Sequence, residues 1–106
     1  GVTVLTVPPA ESGLDLRALF GALAGRGVTR VLAEGGAGLA AGLLRAGLVD
    51  RLAWFHAPGI MGGEGHPATG DLHLAALAAM PRFRRVAVRP LGADLLTEFE
   101  PIAEVG

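Results

Sequence analysis

Hydrophobic and polar positions follow two periods along this chain. Residues 2–8, VTVLTVP, are β-branched and apolar and stop at Pro8-Pro9, the pattern of a buried strand. After a polar turn, Leu16, Leu19, Phe20 and Leu23 recur at the spacing of one helix face. Asp15 is placed to cap that helix, and Gly25 or Gly27 to stop it. TRVLAE, residues 29–34, reads as a second strand, and AGLAAGLLRAGL as a second helix with Leu39, Leu43 and Leu44 on its apolar side and Gly47 at its end. DRLAWFHAP, residues 50–58, reads as a third strand. A Gly- and Pro-rich loop follows over residues 59–71, then a short helical turn or helix over LHLAALAAMP. The last segment alternates strictly. Leu96, Glu98 and Glu100 interleave with Leu95, Thr97 and Phe99, and Val86 and Val88 with Arg85 and Arg89, around Gly92-Ala93-Asp94. That is a hairpin with one wet face.

The order β-α-β-α-β followed by a hairpin predicts an α/β fold. Alternating strands and helices call for right-handed crossovers and a three-layer, mostly parallel mixed sheet, closed by an antiparallel hairpin. At 106 residues the chain has room for a single domain spanning residues 1–106. It shows no internal repeat or linker. Hydrophobic residues make up 51 %, which places the chain among folded proteins. Apolar runs are too short for a membrane span, and no signal peptide opens the chain. Nine basic and ten acidic residues give no electrostatic case for nucleic acid or an anionic membrane. The absence of cysteine excludes disulfides, thiolate nucleophiles and cysteine-based metal sites, and fits a cytoplasmic protein.

The chemistry concentrates in RVLAEGGAGLAAGLL, residues 30–44. Gly36-Ala37-Gly38-Leu39-Ala40-Ala41 matches G-x-G-x-x-[GA] between an expected strand and an expected helix. Glycines let a backbone approach phosphate, and a helix N-terminus offers unpaired N–H groups and the positive end of a dipole. The full dinucleotide fingerprint fails, because no acidic residue ends the next strand: Asp50 precedes it and His56 stands near its end. No Lys-Ser or Lys-Thr follows the glycines, so the Walker pattern fails too. The glycines alone are equally compatible with a steep turn and close helix packing. Glu34, at the carboxyl end of an expected strand, favours a ligand, although capping of the next helix would also account for it.

VLAEGGAGLAAGLLRAGLVDRL, then HAPGIMGGEG, then LGADLL resemble the C-terminal reductase domain of the bifunctional riboflavin-biosynthesis deaminase/reductase, over residues 14 to about 100. The resemblance implies a dihydrofolate-reductase-like fold. It also implies NADPH-dependent reduction of 5-amino-6-(5-phosphoribosylamino)uracil to its ribityl form, with hydride delivered to C1 of the ribose. It places Glu34 on substrate and Gly36, Ala37, Gly38, Leu39, Ala40, Ala41 and Gly42 on NADPH. It further implies a homo-oligomer and a zinc deaminase domain elsewhere in the full-length multifunctional enzyme. No H-x-E or P-C-x-x-C pattern of such a deaminase lies in this chain. The family's reductase domain is longer, so the chain is expected to form its C-terminal part. The resemblance names no catalytic residue here.

Other residues change the picture less. The spacing of His56, His66 and His73 fits no compact metal motif, and no metal is expected. His56 reads as a histidine at the edge of the core. The loop GIMGGEG is either a lid with glycine hinges or an ordinary surface loop. Arg82, Arg84, Arg85 and Arg89 read as one wet strand face rather than a phosphate site. No nucleophile–base pair is visible, as suits chemistry carried by a cofactor. Two alternatives remain: a non-catalytic assembly or dimerisation module of the same fold, and a related reductase acting on a pterin.

Overall fold

The computed structural model describes residues 1–10 and 13–102. Two very short strands, β1 (Pro9–Ala10) and β2 (Gly13–Leu14), pair antiparallel and lead into helix α1 (Leu16–Gly25). Helix α2 (Ala37–Arg45) follows, and then strands β3 (Leu52–His56), β4 (Phe83–Leu91) and β5 (Asp94–Pro101). These three form one antiparallel sheet in the order β3-β5-β4.

Local sequence accounts for the helix boundaries. The Asp15 side chain accepts the Ala18 N–H at 3.0 Å, so one of the donors left unpaired at the start of α1 is satisfied. Past the helix ends, Gly27 (φ +86°) and Gly47 (φ +66°) take the left-handed conformation in which Cβ-bearing residues are strained. The β4–β5 turn has only Gly92 and Ala93 between the strands. Gly92 lies at φ +60°, in the position that type II′ hairpins reserve for glycine.

Register divides the sheet into two unlike faces. Leu52, Trp54 and His56 oppose Phe99, Thr97 and Leu95, so all six share one largely apolar face. Thr97, on the central strand, is buried. On the opposite face Arg84 pairs with Glu100, and Arg89 with Glu98 at 3.3 Å. The expected wet face is therefore present, but the arginines divide. A register step between Arg85 and Ala87 leaves Val86 unpaired, and Arg85 lies opposite Phe99 on the apolar face.

Two expectations are corrected. Residues 2–8 and 29–34, read as strands, form no ladder. The ladders among the described residues are antiparallel, so the mostly parallel pairing expected of the α/β sheet is not formed there. A strand preference is local, whereas a ladder needs a neighbour at hydrogen-bonding distance. Of the helical turn or helix expected over residues 72–81, the turn is what forms, a 3₁₀ turn at Leu77–Ala79.

Among the described residues, neither helix packs broadly on the three-stranded sheet. The radius of gyration is 15.9 Å, against about 13 Å for a compact chain of this length. The accessible surface is 8546 Å², against about 5500 Å² for a folded monomer of this mass. Much of the excess is apolar: Val2, Val4, Leu32, Phe55, Ile60 and Met61 are exposed. Among the described residues the buried apolar side chains, Ala41 and Leu43, both belong to α2.

Candidate functional site

Helix α2 begins at the glycine turn. Gly36 is its N-cap and contributes no side-chain bond to it. The first N–H inside the helix to find a partner is that of Ala40, which donates to the Gly36 carbonyl at 3.1 Å. The preceding N–H groups have no intrahelical acceptor and carry the positive end of the helix dipole. Glu34 is exposed, two residues before the N-cap. It therefore does not cap α2, which leaves its carboxylate accessible at the mouth of the turn.

The glycines separate into two kinds. A Cβ at Gly35 would run into Leu39 Cδ2 and lie 3.2 Å from Leu39 Cβ, and one at Gly42 would lie 3.0 Å from Leu16 Cδ1. Packing against the Leu39 Cβ explains the first, and at the second the tip of Leu16 would have to give way slightly. At Gly36 and Gly38 a Cβ would meet no heavy atom within 4 Å. Neither lies in the positive-φ region. Among the described residues nothing requires glycine at these two positions. The bare backbone faces open space beside unpaired N–H groups.

The seven residues 36–42 thus differ in what they can offer. Gly36, Gly38 and Leu39 are exposed, Ala37 and Ala40 are half-buried, Ala41 is buried, and Gly42 turns toward α1. A recess of about 480 Å³ lies along this side of α2, lined in part by Leu16, Arg17, Gly38, Leu39, Gly42 and Arg45. Arg17 donates to the carbonyl of Ala46, the C-cap of α2, and so ties the two helices together.

Sequence reasoning missed the anchoring of the Gly-rich loop. The Gly70 N–H donates to the Ala37 carbonyl at 2.9 Å, and Arg45 Nη1 donates to the Asp71 carbonyl at 2.7 Å. Arg45 in the last turn of a helix was the available signal. Gly70 gave none, because its partner lies 33 residues away. Within the loop, residues Gly62–Glu64 form a 3₁₀ turn with Gly62 at φ +74°.

None of the three histidines lines the recess beside α2. His56 lies on β3, exposed rather than at a core edge, with its ring centroid 6.3 Å from that of Trp54. His73 takes a left-handed conformation, φ 52°. Among the described residues no group of three His, Asp or Glu side chains is arranged to hold a metal ion. A second recess, of about 460 Å³, opens on the apolar face of the sheet between Leu52, Trp54, Met80, Phe83, Phe99 and Ile102. No helix among the described residues is long and apolar enough to cross a membrane.

Comparison with known proteins bears on the family and the fold. The family model described as the RibD C-terminal domain matches residues 2–97. The riboflavin biosynthesis protein RibD of Escherichia coli K12 is 33 % identical over 94 residues, covering 89 % of this chain and 26 % of that protein. Its counterpart from Chlamydia pneumoniae is 34 % identical over 80 residues, covering 76 % and 21 %. The chain therefore spans about a quarter of the length of these relatives. A solved structure of Acinetobacter baumannii RibD superposes with a TM-score of 0.79 at 25 % identity, over 93 % of this chain and 26 % of that one. The superposition agrees with the α/β, dihydrofolate-reductase-like fold expected from the sequence. The match over residues 2–97, together with these relatives, shows that the chain belongs to the RibD C-terminal domain family.

Proposed function

We propose that residues 1–106 form the C-terminal part of a reductase domain in riboflavin biosynthesis that uses NADPH to reduce 5-amino-6-(5-phosphoribosylamino)uracil to its ribityl form. The observation that carries this reading is the bare glycine backbone at Gly36 and Gly38, open to solvent at the start of α2. Unpaired N–H groups and a helix dipole suit a phosphate, and the missing Cβ atoms let it come within hydrogen-bonding distance. In this reading Gly36, Ala37, Gly38 and Leu39 bind the cofactor. Ala40, Ala41 and Gly42 shape the helix behind them. NADPH, when bound, supplies the hydride, and the chain's own residues bind and orient. Glu34, exposed beside the turn, is the substrate contact: its carboxylate accepts hydrogen bonds from substrate hydroxyl or amino groups.

The family relation supports the pathway, and the coverage of the relatives supports a longer enzyme with a deaminase domain elsewhere in its chain. A second reading has an observation of its own. The exposed apolar sheet face, with its recess beside Trp54 and Phe99, supports an assembly surface for homo-oligomers. Calorimetric titration of NADPH into the full-length protein separates the two. Binding favours the reductase, and no heat at millimolar NADPH favours the assembly module. Replacing Glu34 by Ala is expected to lower kcat/KM for the phosphoribosyl substrate about tenfold or more while the NADPH dissociation constant holds, since one charged hydrogen-bond acceptor is lost. Unchanged kcat/KM sinks the role of Glu34.

A further inference from the structure

The loop end at residues 70–71 grips α2 at two points. Gly70 lies against the small side chains of the first turns. A Cβ there would stand 3.4 Å from the Ala37 carbonyl oxygen and 3.5 Å from the Ala41 methyl. That closeness allows the Gly70 N–H to reach the Ala37 carbonyl at 2.9 Å. From the last turn of the same helix, Arg45 holds the neighbouring Asp71 carbonyl at 2.7 Å. Helical side chains lean toward the N-terminus, so Arg45 reaches back along α2 and pins the loop where Gly70 meets Ala37 and Ala41.

The acceptor matters for chemistry. The Ala37 carbonyl and the Gly38 N–H belong to one planar peptide group. A hydrogen bond received by the oxygen polarises that group and makes its N–H a stronger donor. Gly38 is where the bare backbone faces open space. We propose that Gly70 and Arg45 are positioning residues for the cofactor: they fix and polarise the Ala37–Gly38 peptide so that its N–H presents to the NADPH phosphates. This rests on the NADPH reading above. Neither residue touches the cofactor in this scheme.

The test uses the full-length protein with Arg45→Ala, Arg45→Lys and Gly70→Val. NADPH affinity is measured by calorimetry, and kcat and both KM values by NADPH consumption. Loss of one hydrogen bond predicts a rise in NADPH dissociation constant of about two- to tenfold in Arg45→Ala. In Gly70→Val the Cβ alone already reaches contact distance of Ala37 and Ala41, and the two further methyl groups are expected to crowd the docking and raise the dissociation constant further. At saturating NADPH, kcat stays within about twofold of wild type, because no group on the reacting atoms has changed. Arg45→Lys restores affinity, since an ammonium can still donate to the Asp71 carbonyl. A purely structural role would lower the melting temperature and leave the NADPH dissociation constant where it was, and that result overturns the proposal. So does loss of kcat in Arg45→Ala without a change in NADPH affinity. If Gly70→Val does not fold, the Arg45 pair decides alone. Wild-type protein that fails to bind NADPH overturns the reductase reading and this proposal together, whereas wild-type binding with unaltered variants overturns this proposal only.

Discussion

Replacing Gly38 by Ala should move stability and cofactor affinity in opposite directions. Gly38 is the second residue of α2, it is exposed, and a Cβ there meets nothing within 4 Å. No clash opposes the methyl group. Alanine holds a helical backbone better than glycine by about 0.5–1 kcal/mol, because glycine loses more conformational freedom on folding. For a domain of this size that is a rise of about 2–6 °C in melting temperature. The same methyl group stands where a phosphate would come closest. Loss of one charge-assisted hydrogen bond costs about 1.5–3 kcal/mol, so the NADPH dissociation constant should rise about tenfold or more. Differential scanning calorimetry and NADPH titration on the same preparation measure both. A lower melting temperature would mean that Gly38 has a packing role invisible in the fold. A higher one with unchanged affinity would mean that the open backbone is not there for the cofactor.

Two contrasts bear on the same elements. Gly35→Ala should destabilise by about 1–2 kcal/mol, because the new methyl group meets the Leu39 Cβ as well as its mobile tip; an unaltered urea midpoint would contradict that packing. Asp15→Ala should cost about 1 kcal/mol by removing the acceptor that caps α1, read as a lower melting temperature with unchanged NADPH affinity.

Much of the local structure was legible because it depends on near neighbours. Asp15 caps α1 through the Ala18 N–H three residues on, and Gly47 and Gly92 turn the chain where the pattern placed them. The two faces of β5 followed from alternation, since the pleat repeats every two residues. The bulge at Val86 was hidden, because both flanking residues fit a strand and only the partner strand reveals the extra one. Residues 2–8 and 29–34 were read as strands on composition, yet a strand exists only with a partner.

For the candidate site, the sequence by itself determined where it lies: a carboxylate, then glycines, then a helix, in residues 34–38. It left four glycines looking alike. Tertiary structure decided that Leu39 and Leu16 lie against Gly35 and Gly42, whereas among the described residues nothing lies within 4 Å of a Cβ at Gly36 or Gly38. It also decided that Gly70 and Arg45 join that turn from 33 and 8 residues away along the chain. The physical reason is common to both findings. Backbone preference is set by immediate neighbours, but whether a glycine is crowded or bare depends on atoms that only folding brings near.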